Sequence, residues 1–157
     1  MNDVRTRPLT EAEFDAFRWR TICAYAAAHV RAGDWSPERA EVLATKETDA
    51  LLPDGLATAA MVLIGAETAA DGLIGIAWVA LQQEQKVGAW IYDIEIFDEY
   101  RGRGYGRILL QAVEETARED GCETVGLNVF ADNTTAQRLY ESSGYELAAM
   151  HMRKRLR

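Results

Sequence analysis

The chain has little cysteine, no paired metal-ligand motif and no long hydrophobic run. Its 157 residues include two cysteines and two histidines, all far apart in the sequence. Cys23 and Cys122 form no CxxC or Cys/His cluster, so we expect both to be unpaired, small core residues. His29 and His151 are equally isolated, and we therefore predict that no metal is bound.

Two further absences limit the classes of protein to consider. No apolar run reaches the length that spans a bilayer, and the first residues contain no apolar signal-peptide core. We therefore expect a cytoplasmic protein without a membrane partner. The formal net charge of −8 argues against binding nucleic acid, which normally requires a basic surface. The same charge suits a cationic amine substrate, although it also serves simple solubility.

The apolar periodicity predicts a single α/β domain over residues 1–157. Thr10, followed by Glu13, is typical of a helix capping box. The predicted helices cover residues 10–31, 36–52, 107–120 and 133–143. The predicted strands cover 4–8, 59–66, 73–81, 89–97, 123–130, 145–149 and 150–156, with a loop at 82–87. This order predicts a mixed central sheet of about six to seven strands with helices on both faces.

The segment with the clearest chemical meaning is a glycine-rich turn between a strand and a helix. Its sequence, from Arg101 to Gly106, is RGRGYG. Glycine lets the backbone approach a ligand closely, and the first amides of a helix attract phosphate. The turn lacks the Gly-Lys-Ser/Thr of a Walker motif, and Arg107 stands where the dinucleotide fingerprint requires glycine. A turn that merely packs a helix against a strand is the alternative.

Two motifs together resemble the GNAT superfamily, the acyl-CoA-dependent N-acyltransferases. RGRGYG, preceded by an apolar strand, is similar to the family signature R/Q-x-x-G-x-G/A. Asn133 to Tyr145 is similar to its N-x-x-A-x-x-L-Y-x-x-x-G-F/Y segment. The resemblance is good from about Leu73 onwards, and the earlier residues agree only in the order of elements. Many family members have proline where this chain has Asp98.

The resemblance implies acetyl-CoA as co-substrate and an N-acetyltransferase that works by direct attack of an amine on the thioester. The coenzyme pyrophosphate would then lie on the amides of Arg101, Gly102, Arg103, Gly104, Tyr105 and Gly106. The pantetheine arm would bind the backbone of the strand at Ile94 and Ile96, which family members splay from the next strand. An amide near Ile96 would stabilise the oxyanion, and Asn133 would lie near the pantetheine.

Two carboxylates are candidates for the base that the reaction needs. Asp93 and Glu95 alternate with Tyr92, Ile94 and Ile96, so both should point to the same side of their strand. Carboxylates in a central strand are costly to bury unless they are paired or functional. We favour Glu95 as the base, acting directly or through water, with Asp93 as the second candidate. A salt bridge to a nearby arginine or lysine is the alternative role.

Tyr140 matches the position of the family's general acid, which protonates the departing thiolate. A phenol with a pKa of about 10 is a weaker acid than a thiol of about 8.5, so a hydrogen bond or a lowered pKa is needed. A buried core tyrosine is the alternative. For the whole chain, the alternative function is a catalytically silent acyl-CoA-binding or regulatory module. The acceptor is a small-molecule or protein amine, and the resemblance also allows a homodimer.

Overall fold

The computed structural model describes residues 4–81 and 88–156, so the loop predicted at 82–87 lies outside the described residues. The helices and strands are β1 (Val4–Pro8), α1 (Glu11–Ala32), α2 (Pro37–Leu51), β2 (Met61–Thr68), β3 (Gly72–Ala80), β4 (Ala89–Ile96), α3 (Tyr105–Glu119), β5 (Val125–Leu127) and α4 (Thr134–Ser142). Short 3₁₀ turns occur at Gly55–Ala57 and Asp98–Tyr100. The chain forms two compact units, one ending at Leu127 and one beginning at Asn128.

The sheet of the first unit is mixed, as predicted, but smaller than predicted. Its strands follow the order β1-β2-β3-β4-β5. The pairs β1–β2, β2–β3 and β3–β4 are antiparallel, whereas β5 runs parallel to β4. The prediction of six to seven strands is not confirmed, since the described residues contain five.

The two missing strands are those predicted at 145–149 and 150–156. Their alternating apolar pattern suits a strand, but a strand exists only where its backbone groups find a partner. In the described chain these residues form no ladder. Leu147, Met150 and Met152 are instead 78%, 69% and 83% exposed.

The start of α1 follows the predicted capping box. The Glu13 amide donates to Thr10 Oγ1 at 3.3 Å, and the Thr10 amide donates to the Glu13 carboxylate at 2.9 Å. Arg7 of β1 donates two hydrogen bonds of 2.8 Å to the same carboxylate and one of 2.6 Å to Glu67 of β2. These interactions fix α1 against the edge of the sheet.

Helices cover both faces of the sheet, as predicted. On one face, Phe17 of α1 meets the ring of Trp78 edge-on at 6.1 Å, and Ile76 belongs to the same buried cluster. Ala77 and Val79 alternate with these residues and therefore point to the opposite face, where they are fully buried. The helix α3 packs against β3 and β4. The sheet is thus enclosed between α1 and α3.

Both cysteines are free, as predicted, but the prediction that they are core residues was wrong. Cys23 is exposed and Cys122 is partly exposed. In α1 the buried side includes Ile22 and Ala26, and the helical rotation of about 100° per residue turns Cys23 away from it. Cys122 follows the end of α3, outside the buried stripe of that helix.

Candidate active site

The central feature of the site is the separation of β4 from β5. Their ladder runs only from Ala89↔Val125 to Ile91↔Leu127, whereas β4 continues to Ile96. The strand predicted to reach Phe130 therefore ends at Leu127. On its other side β4 contains an irregularity, because the pairing passes from Trp78↔Asp93 to Val79↔Ile91 and leaves Tyr92 as an additional residue. Such a bulge increases local twist and bends the strand, which favours the separation.

The backbone of β4 presents polar groups to the side left open by β5. The Phe97 amide donates to Ile74 O at 2.9 Å, so the polar groups of Phe97 point towards β3. Successive residues of a strand alternate in this respect, and the groups of Ile94 and Ile96 therefore point away from β3. Ile96 O accordingly accepts a hydrogen bond of 2.8 Å from Arg101 Nε. An extended ligand could add to this edge, as a further strand would.

The glycine-rich turn presents its backbone to open space. Gly102 and Gly104 have φ values of 74° and 84°, in the left-handed region that favours glycine. A Cβ built on either residue would meet no heavy atom within 4 Å. Gly104 is the N-cap of α3 and supplies no side chain to cap it. The turn therefore places backbone amides at a helix N-terminus, which suits an anionic phosphate group.

The two arginines of the turn are held by its own residues. Arg101 Nη1 binds Asp98 at 2.7 Å, so the residue that departs from the family's usual proline pairs with the signature arginine. Arg103 donates to Glu99 O at 3.1 Å and lies 5.8 Å from the centre of the Tyr100 ring. Both guanidinium groups thus add positive charge to the turn while their donors engage its acidic residues and carbonyls.

Asp93 and Glu95 both face α1, as the alternation predicts. Arg20 of α1 donates to Glu95 Oε2 at 2.5 Å, and Arg101 Nη2 lies 3.8 Å from Glu95 Oε1. The alternative considered for these carboxylates, a salt bridge, is therefore realised for Glu95. Arg20 was not identified from the sequence, because nothing in the local pattern of α1 indicates which distant strand it meets.

The Asp93 carboxyl has a strongly shifted pKa. Its pKa is raised from 3.8 to about 7, first because burial penalises the charged form and second because the negative charge of Glu95 is nearby. The positive charge of Arg20 and hydrogen bonds to the Ile94 amide and the Thr21 hydroxyl lower it in part. A carboxylate with a pKa near neutrality is well matched to accepting a proton at physiological pH.

An open cleft lies at the end of β4, next to the turn. Its volume is about 300 Å³, and it is lined by Arg20, Glu95, Phe97, Asp98 and Glu99. The guanidinium of Arg20 lies over the Phe97 ring, 4.1 Å from its centre. Three carboxylates, one aromatic ring and one guanidinium group therefore meet beside the backbone edge of β4.

Tyr140 and Asn133 belong to the second unit. The Asn133 side chain accepts a hydrogen bond of 3.2 Å from the Ala136 amide and so caps α4. Tyr140 is 9% exposed, and its ring lies 5.7 Å from that of Tyr145. These contacts agree with the core role considered for Tyr140, and the roles of both residues towards the coenzyme stay predictions.

The described residues contain no group of three His, Cys, Asp or Glu side chains placed to hold a metal ion. Within the same residues, no helix is both long enough and apolar enough to cross a membrane.

The site combines a separated strand edge, a glycine turn at a helix N-terminus and adjacent carboxylates, and comparison with known families identifies its class. The model of the Acetyltransferase (GNAT) family matches residues 14–145. The chain belongs to this family and is an acetyltransferase.

Two relatives from Bacillus subtilis (strain 168) match almost the full chain. The N-acetyltransferase YycN is 35% identical, with 95% of this chain and 96% of the relative covered. The N-acetyltransferase YdgE is 30% identical, with coverage of 94% and 95%. The crystal structure of YycN superimposes with a TM-score of 0.91, at 34% identity, over 98% of each chain.

A more distant solved structure shares the fold alone. The PaiA N-acetyltransferase of Thermoplasma acidophilum, solved in complex with coenzyme A, has a TM-score of 0.69 at 18% identity. The match covers 95% of this chain and 93% of that one.

Proposed function

We propose that this acetyltransferase moves an acetyl group from acetyl-CoA to the nitrogen of an amine by direct attack. The observation that carries the proposal is the continuous open edge formed by β4 and the glycine turn. Ile94 and Ile96 present backbone groups along this edge, and the N-terminus of α3 lies at its end. The edge has the two parts that a pantetheine arm and a pyrophosphate require.

The residues present fit the coenzyme. Added side chains at Gly102 and Gly104 would project into open space beside the turn, so glycine leaves room there for a phosphate. The amides from Arg101 to Gly106 would hold the pyrophosphate, with Ile94 and Ile96 holding the arm and Asn133 nearby. The PaiA structure supports this assignment, because a protein of the same fold was solved with coenzyme A. When bound, acetyl-CoA supplies the activated thioester.

The amine must lose a proton before it can attack. A primary amine with a pKa of about 10.4 is neutral in only about one molecule per thousand near pH 7, and deprotonation costs roughly 4–5 kcal/mol. Asp93 and Glu95 are the carboxylates that could accept this proton, directly or through water. The acidic side chains of the cleft also favour the approach of a cationic amine, whether a small molecule or a protein side chain.

The reaction then forms a C–N bond and breaks the C–S bond. The nitrogen attacks the carbonyl carbon, and an amide near Ile96 stabilises the negative charge that develops on the oxygen. The nitrogen loses its second proton and the departing thiolate takes up a proton, which gives the amide product and free CoA thiol. The Tyr140 hydroxyl would donate a hydrogen bond or a proton to the departing sulfur.

Release of free thiol from acetyl-CoA in the presence of an amine panel tests the proposal. The panel should contain polyamines, amino acids, aminoglycosides and peptides with free amino groups, and acetylated products should be identified by mass spectrometry. Thermal shifts with acetyl-CoA, ATP and NAD form the parallel binding assay. Stabilisation by acetyl-CoA without thiol release for any amine would support a silent binding module. Stabilisation by ATP or NAD alone would overturn the proposal.

A further inference from the structure

Both oxygens of the Glu95 carboxylate face guanidinium groups. Arg20 donates to Oε2 at 2.5 Å, and Arg101 approaches Oε1 at 3.8 Å. Charge-assisted contacts therefore engage both oxygens and hold the carboxylate in one position. The geometry of Glu95 therefore suits an ion pair that orders the site, and it is less suitable for a base.

Arg20 is itself held in a defined position. Its guanidinium stacks over Phe97, 4.1 Å from the ring centre, while its Nη2 binds Glu95. Phe97 follows the last residue of β4, so the contact fixes α1 to the end of that strand. Arg20 therefore joins α1 to the strand that bears both carboxylates.

Asp93 is held differently and lies elsewhere along the strand. Its carboxylate interacts with the Thr21 hydroxyl of α1 and with the Ile94 amide. The Ile94 amide, which donates to this carboxylate, points to the open side of β4. Asp93 lies two positions before Glu95, which corresponds to about 7 Å along the strand. Asp93 is thus the carboxylate nearer to the inner end of the opening, which closes at Ile91.

We propose that Arg20 is a positioning residue of the acetyl-transfer site: it holds Glu95 in an ion pair and leaves Asp93 as the carboxylate that accepts the amine proton. The inference rests on the proposed function and assigns the proton acceptor within it. It differs from the interpretation that the sequence favours, in which Glu95 is the base.

Every charged group that faces Asp93 contributes to its proton affinity. From α1, the charge of Arg20 lowers the pKa, and so does a hydrogen bond from the uncharged Thr21 hydroxyl. From β4, Glu95 raises the pKa, and Arg101 of the turn lies 3.8 Å from the Glu95 carboxylate. The residue opposite on β3 is Trp78, which carries no charge.

The proton balance of the step is simple. An ammonium proton passes to the Asp93 carboxylate, and the freed nitrogen pair forms the C–N bond as the C–S bond breaks. The second nitrogen proton ends on the coenzyme sulfur, giving an amide and a thiol. Asp93 returns its proton to solvent before the next turnover.

The test is the pH dependence of kcat for Arg20→Met, Arg20→Lys, Glu95→Gln and Asp93→Asn, measured with two acceptor amines of different pKa. The acid limb is the part of the pH profile in which kcat rises with pH, and a limb with the same midpoint for both amines reports a group of the enzyme. Arg20→Met should shift the midpoint of this limb to higher pH by about one pH unit, and Arg20→Lys should shift it less. Loss of the Glu95 charge should shift the limb to lower pH by a similar amount. Asp93→Asn should remove it.

Arg18→Met is the matched control. Arg18 lies on the same helix and also forms an ion pair, at 2.8 Å, but its partner is Asp49 of α2 and not a residue of β4. Its loss should leave the limb in place, whereas a general effect of weakening α1 would move it. Melting temperatures of all variants identify any that fail to fold.

If the acid limb shifts in opposite directions in Arg20→Met and Glu95→Gln, the ion pair acts on the proton acceptor and is not merely structural. Loss of the limb in Glu95→Gln, or its persistence in Asp93→Asn, would overturn it. Titration of the Asp93 carboxyl by carbon NMR requires no turnover, and unmoved titration in both charge variants would also overturn it. Absence of transfer to any amine by the wild-type protein would instead refute the proposed function. The NMR titration would still test whether the charges of Arg20 and Glu95 act on Asp93.

Discussion

Arg20 and Glu95 lie 75 residues apart in the chain, yet their side chains meet at 2.5 Å. The contact joins the first helix to the strand along which we place the coenzyme. A ligand that displaces either side chain would therefore act on both elements. The following predictions examine the parts of the site that surround this pair, together with the anchor of α1.

Gly104→Ala should weaken acetyl-CoA binding about tenfold or more. The φ of Gly104 is 84°, and alanine there would add strain of about 1–2 kcal/mol and a methyl group beside the predicted phosphates. Gly72→Ala is the control, because Gly72 has a φ of 72° and equally open surroundings but is the first residue of β3. Calorimetric Kd values and melting temperatures check the prediction. Equal affinities in the two variants would contradict the assignment of the turn.

Tyr140→Phe should reduce kcat by about 100-fold while acetyl-CoA binding is retained, because only the hydroxyl is lost. Tyr145→Phe is the matched control, since its ring packs 5.7 Å from that of Tyr140 in the same unit. Steady-state rates and coenzyme affinity should be measured for both. If both variants turn over equally, Tyr140 has only the packing role.

Asp93→Asn should stabilise the protein at alkaline pH. The folded-state pKa of about 7 lies above the ordinary value of 3.8, so folding favours the neutral form. The stability that this group contributes is fully present below about pH 4 and is lost as the pH rises through 7. Asparagine stays neutral, and we expect a gain on the order of 1–4 kcal/mol at pH 8 that vanishes near pH 4.

Denaturant unfolding at pH 4, 6 and 8 measures this difference. Asp15→Asn, at an exposed position of α1, is the control and should show no comparable gain at pH 8. An Asp93→Asn variant that is less stable than wild type at pH 8 would contradict the prediction, because it would show that burial of the ionised carboxylate does not destabilise the fold.

Glu13→Gln should destabilise the protein by about 1 kcal/mol at neutral pH. Hydrogen bonds from Arg7 chiefly hold the pKa of Glu13 at about 2, below its ordinary 4.5. The carboxylate therefore stabilises the fold above about pH 4.5, and this contribution is lost as the pH falls towards 2. The difference between variant and wild type should shrink over that interval in thermal unfolding. Glu11→Gln, in the same first turn of α1, provides the comparison.

Local spacing determined much of the fold. Thr10 and Glu13 defined the start of α1, and the glycines between Arg101 and Gly106 defined the junction of β4 with α3, because caps and turns depend on residues close in sequence. The alternation around Ile94 likewise placed Asp93 and Glu95 on one side of their strand. The family resemblance rested on the same local motifs.

Only the tertiary structure decided which distant groups meet. The sequence could not show that Arg20 pairs with Glu95, that the β4–β5 ladder ends at Leu127, or that residues 145–156 form no strand in the described chain. Periodicity reports which face of an element is apolar, but a strand edge or an ion pair also needs a partner from elsewhere in the chain. Burial and charge at Asp93 arise from α1 and Glu95 together, and for that reason its raised pKa is a property of the folded protein.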